Sequence, residues 1–225
     1  MVESKGSFRD YVHTNRELIA PSLSFTSNER IRFLYQAEYM RNRAPIDRGV
    51  VASGGDARAM DRRTFLGEPG NGRIDQKIFC QQGSVLASIS DEISIEGGLS
   101  YRNGSLLGYS THADFGARGI LPDGRTISRT RRYHNLQWDD LSARIEATAK
   151  AETFDLTHDI RIGADRVRHG MDKYMLQARG TAAATILTID AFEPIYGKTT
   201  DALAPLQNQR ISFRRESVYA QDLIG

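Results

Sequence analysis

Asp91 and His158 are the two residues of this sequence whose positions best fit acid–base chemistry. Asp91 interrupts the alternating series Val85, Ala87, Ile89, Ile93 and Ile95, and His158 interrupts Phe154, Leu156, Ile160 and Ile162. A polar side chain on an apolar stripe needs a partner, because burying it unpaired is costly. A carboxylate that orients an imidazole makes a general base. That chemistry suits a cofactor-independent enzyme of the cyclase, isomerase or hydratase type. The bland alternative is a structural hydrogen-bonded pair, or two strand ends that reach water.

A second group carries charge and aromatic surface. Ser110, His112 and Asp114 share one face of a strand, and H-x-D on a strand can ligate a metal when a third group converges from His134 or His158. The usual ligand spacing is missing, so a solvated strand face is the default and no metal is expected. In the run 129–134, Arg129, Arg131 and Tyr133 share one face, and Arg132 and His134 take the other. Cations beside an aromatic ring can hold a phosphate or a single-stranded nucleic acid. The net charge of only +2 and the acidic residues nearby (Asp139, Asp140, Glu146, Glu152) argue against nucleic acid. His112, Arg129, Arg131 and Tyr133 are therefore taken as candidate substrate-binding residues, and a small molecule as the expected ligand. His169, in the polar stretch 164–172, is a candidate for a loop at the mouth of a barrel.

Other motifs fail their own tests. Residues 67–72 are glycine-rich but are followed by Arg73-Ile74-Asp75, so the Gly-Lys-Ser/Thr step of a phosphate loop is missing. Cys80 is the only cysteine, which excludes an intrachain disulfide and cysteine-rich zinc sites. No cofactor motif is present. Arginine outnumbers lysine 25 to 5; this fits forked contacts with carboxylates or phosphates, and a base-composition bias explains it more cheaply.

These residues need elements to hold them. Residues 75–192 alternate with the two-residue period of half-buried strands, broken by turn sequences. Residues 85–96 form one such run, Gly97-Gly98 reads as a turn, and Asn103-Gly104 reads as a tight hairpin. Residues 141–151 and 154–162 alternate around Glu152-Thr153 and predict another hairpin. Strands are also predicted at 173–179 and 183–189, and a late β or helical piece at 210–223. Before the core, Ser27 and Pro45 bracket a predicted helix over 28–43, with a weaker one over 7–19.

The sequence therefore predicts a mainly β protein, an antiparallel up-and-down barrel or strongly curved sheet, with a two-sheet sandwich as the alternative. Residues 1–66 form an N-terminal helical and loop segment, 67–193 the β core, and 194–225 a C-terminal extension. The expected function is small-molecule binding, or cofactor-free catalysis, in a pocket inside the barrel. The alternative is a self-assembling structural subunit, such as a capsid or tail protein. No apolar run approaches the ~18 residues of a membrane-spanning helix, and the first residues lack a secretory leader. A cytoplasmic (or virion) homo-oligomer without membrane contact is the corresponding expectation.

Overall fold

The structure, a computed structural model, describes residues 1–52, 55, 56, 58–115 and 119–225. Ten strands form it: β1 (Val2–Gly6), β2 (His13–Ile19), β3 (Ser22–Ser27), β4 (Ile31–Ala44), β5 (Ile74–Ser88), β6 (Ile93–Ala113), β7 (Thr126–Thr153), β8 (Leu156–Arg179), β9 (Thr188–Asp190) and β10 (Ala204–Ile224). Every pairing is antiparallel, and the order β1-β2-β4-β5-β6-β7-β8-β10 follows the chain. β3 extends β2 along the same edge of β4. The break between them falls at Pro21, which has no N–H to give a ladder. The result is one sequential meander with unpaired edges at β1 and β3 on one side and at β10 on the other, so the antiparallel β expectation holds at that level and the sheet is not closed.

The helical expectation does not hold: the described residues contain no α-helix. Residues 7–19 enter a β1–β2 hairpin, and 28–43 turn at 28–30 into β4. Ile31, Leu34 and Tyr35 match a helical stripe, yet Ile31, Phe33, Tyr35, Ala37 and Tyr39 match the strand period, and pairing on both sides of β4 decides between them. Asn28, with φ 51°, sits in the turn, where asparagine tolerates that geometry.

Two expected turns are also strand interior. Gly97-Gly98 and Asn103-Gly104 both lie within β6, and the chain reverses at residues 89–92 instead. There the Ser90 hydroxyl accepts from the Glu92 and Ile93 amides, at 3.2 and 3.1 Å. Gly104 serves packing. A Cβ at this position would lie 2.2 Å from the Trp138 ring, directly across the ladder, so the glycine lets the indole lie over the backbone. The strand reading of 141–151 holds, as part of a 28-residue β7.

The two ends of the sheet differ. Turns at 28–30, 89–92 and 154–155 are tight, whereas 45–73, 114–125 and 180–203 are long connections at the opposite end. The hydrophobic core is a small cluster where those connections meet the ends of β6 and β7: Met60, Leu66, Ala113, Ile127, Ile189 and Ala191. Gly104→Val is expected to displace Trp138 and to cost about 1–3 kcal/mol, the usual penalty of overpacking. A lowered denaturation midpoint with a shift in emission of this sole tryptophan would show it.

Candidate functional site

Directly paired residues of an antiparallel ladder point the same way, so the register sorts the sheet into two faces. One carries Leu23 and Phe25 of β3; Ile31, Phe33, Tyr35, Ala37 and Tyr39 of β4; and Phe79, Val85 and Ala87 of β5. It continues with Ile93, Ile95, Leu99 and Tyr101 of β6, Leu141 to Ala151 of β7, Ile160, Ile162 and Ala164 of β8, and Val218 and Ala220 of β10. These side chains are not a core. Phe25 and Ile145 are each 58% exposed and Ile162 53%.

The opposite face is polar and cross-linked. Arg102 donates through Nε and Nη2 to Asp140 at 3.0 and 2.7 Å, and Asp140 also meets His169 Nδ1 at 2.6 Å. The His169 ring stacks on Phe213 at 4.9 Å. Glu146 takes Arg144, Arg161 and the Tyr219 hydroxyl.

Towards the long connections this polar face opens into a cavity of about 390 Å³, lined by Arg48, His112, Asp114, Phe115, Arg132 and Arg179. Asp114 is its anchor: its carboxylate accepts from Ser128 Oγ at 2.9 Å and Thr130 Oγ1 at 2.6 Å, and pairs with Arg179 Nε at 3.1 Å. His112 is 5% exposed, yet its Nδ1 has no hydrogen-bond partner among the described residues. Arg132 Nε is likewise buried and unpartnered among them. Burial first, then the Arg48 and Arg132 cations, push the His112 imidazole below its ordinary range. The wall is thus a neutral imidazole and three guanidiniums against one carboxylate. It suits an anion.

The sequence candidates separate. Asp91 lies in the β5–β6 turn, while His158 pairs with Asp222 of β10 at 2.8 Å on the apolar face. β7 stands between the strands that carry them. His112 lines the cavity, but Arg129, Arg131 and Tyr133 lie on the opposite face. Arg129 is fully buried under the connections, donating to Gly67 O at 2.6 Å and Leu187 O at 3.2 Å and facing Glu68 at 3.6 Å. Arg131 holds Asn71 and Asp201 and packs over Tyr109, which in turn meets Tyr133. Strand parity already put Arg132 apart from Arg129 and Arg131. Arg48 and Arg179 carried no local signal, since only the long-range register brings them to His112.

No family model matches the chain. Over 197 residues it is 29% identical to the metal-pseudopaline receptor CntO of Pseudomonas aeruginosa, covering 88% of this chain and 27% of that receptor. The chain thus spans about a quarter of the length of the curated relatives it matches. The ferric-catecholate import receptor Fiu of Escherichia coli K12 superposes with a TM-score of 0.82 at 19% identity, over 99% of this chain and 36% of the receptor. The siderophore receptor PiuA of Acinetobacter baumannii gives 0.79 at 18% identity, over 95% and 33%. These likenesses overturn the barrel enzyme, the shell subunit, and the cytoplasmic or virion setting without a membrane. The physical reason is the direction of the apolar stripe. Alternation alone places it inside a barrel, whereas in the sheet it is an uncovered face.

The histidine makes a pH test. A depressed imidazole favours the fold while neutral, so its contribution is complete above the ordinary histidine pKa of about 6.5 and is lost as pH falls through the folded value. Stability measured by denaturant from pH 7.5 to 4 is expected to fall less steeply in His112→Asn than in the parent chain.

Proposed function

We propose that this sheet is part of the wall of a transmembrane β-barrel that takes up anionic metal chelates, with its apolar face in lipid and its polar face lining the lumen. The observation that carries the reading is the uncovered apolar band itself. On β7 it covers positions 141–151; at about 3.4 Å per residue and a tilt near 45°, that height is about 25 Å. A membrane strand needs about 9–11 residues. Exposed apolar surface this continuous marks a surface that lipid or protein covers.

The rest follows from the same geometry. Lipid offers no hydrogen bonds, so the free edges of β1, β3 and β10 must be paired with further strands, which closes the sheet into a barrel. Tight turns at one end and long connections at the other fit a bacterial outer-membrane barrel, with the long connections outside. The basic cavity then opens from the lumen towards those connections, where Arg48, His112, Arg132 and Arg179 meet a ligand. Receptors for a metal–pseudopaline complex and for ferric catecholate are among the proteins this chain resembles, and a negatively charged chelate complements the cavity.

Two measurements test the reading. Cys80, the only cysteine, lies on the polar face, so a fluorophore can be placed there or, in a Cys80→Ser background, at Ile145→Cys. In vesicles with brominated acyl chains, the label at 145 is expected to be strongly quenched and the label at 80 weakly. Equal quenching would overturn the membrane face. For the cavity, a ferric polycarboxylate such as ferric citrate is expected to quench Trp138. Arg48→Ala with Arg132→Ala should weaken that binding about tenfold or more, as removing charge-assisted contacts does. Unchanged affinity would remove these residues from the ligand site.

A further inference from the structure

A second site lies on the other face. Just beyond the apolar band, towards the long connections, the sheet carries a groove of about 870 Å³. On this face it is lined by Asn103, Ser105, Gly170 and Ser212, by Tyr39, Phe79 and Tyr101, by Arg168 and Arg210, and by the carboxylates of Asp139, which lies over Gly170, and Asp172. All of these belong to the register rows of the apolar face. Aromatic rings at the rim of an apolar band mark the level where lipid chains give way to headgroups.

The charges there are incomplete. Arg210 is matched by Asp172, and Arg166 by Glu216. Arg168 and Arg214 stand directly opposite each other across β8 and β10, on the same face. Both are exposed, and neither has an acidic partner among the described residues. Like charges directly opposite in a ladder destabilise it. A phosphate between two guanidinium forks removes that repulsion, and it is the anion found at this depth of a bilayer.

We infer that Arg168 and Arg214, with the aromatic wall of the groove, bind the phosphate headgroup of a membrane lipid whose chains lie along the Ile162, Ala164 and Val218 stretch of the band. This rests on the membrane reading above. The two cations sit where the β8 and β10 stripes leave the apolar band. Arg168 lines the groove, and Arg214 stands directly across the ladder from it; a flat cationic patch would attract anions without selecting a lipid.

The test uses the full chain in zwitterionic detergent, with short-chain phosphatidylglycerol as the probe and retained lipid read by native mass spectrometry. The parent should retain the lipid, and Arg168→Gln with Arg214→Gln should weaken retention about tenfold, as loss of two near-surface cations predicts. Arg168→Lys with Arg214→Lys should recover part of it. Equal retention by the parent and the glutamine variant would overturn the proposal. Displacement by millimolar inorganic phosphate as effective as that by the lipid would also overturn it, since the site would then take free phosphate. Flotation of both proteins with phosphatidylcholine vesicles separates the two readings. If both float and retention is equal, only the headgroup site fails; if neither floats, the membrane reading fails with it.

Discussion

Unbroken antiparallel register is the constraint on which everything else in this molecule depends. From β4 to β8 the pairing runs without a slip, and along β10 it shifts only between Pro205 and Gln207. Because side chains alternate with a period of two, one slipped residue would exchange the faces of every strand beyond it. With the register fixed, patterns that look modest in single strands add up to two surfaces of opposite character. The backbone groups of the inner strands are spent on their neighbours, so neither face needs water for the main chain.

That economy explains the polar face. A charged stripe on a sheet is tolerable when cross-strand partners absorb it. Arginine does this well, since its planar fork meets a carboxylate through two N–H groups. Arg102 with Asp140, and on the other face Arg41 with Asp75 and Arg210 with Asp172, are such forks. The excess of arginine over lysine thus has a structural use, whatever its origin. The cavity around His112 differs because the pairing is incomplete there: Asp114 is shared among Ser128, Thr130 and Arg179, and Arg132 Nε is left without a partner among the described residues.

How far the sequence could be read follows from range. The alternation at 141–151 and 154–162 was legible, because the information sits within each strand. The β3–β4 segment was not, since Ile31, Leu34 and Tyr35 satisfy a helical period until the neighbours on both sides are known. Asn103-Gly104 has the composition of a tight turn, but Trp138 uses the glycine for room. Above all, alternation defines two faces without saying which one is inside. Asp91 and His158 are polar exceptions in a core only if the apolar face is buried. His158 and Asp222 in fact pair on that uncovered face. Arg48 and Arg179 lie far from His112 in the chain, and only the folded register unites them.

The edges of the apolar band hold one further piece of geometry. On the side of the long connections the band ends at Tyr39 on β4 and Phe79 on β5, at Tyr101 and Leu141 on β6 and β7, and at Ala164 and Val218 on β8 and β10. Projected through the pairing onto β7, that boundary moves from Asp139 to Ile145. The opposite boundary moves the same way, from Ala147 opposite the Ile31 row to Thr153 opposite Leu156. Both edges therefore drift by six residues, or about 20 Å at the usual rise, across five gaps of about 4.8 Å for the first edge and four for the second. The ratios correspond to slopes of about 40° and about 45° between the strands and the normal of the band. Strands of a lipid-spanning barrel tilt by about 35–45°, so a flat slab of lipid would cut the sheet along this slanted line. A patch selected for packing against a protein partner has no reason to keep constant height while climbing the register at that angle.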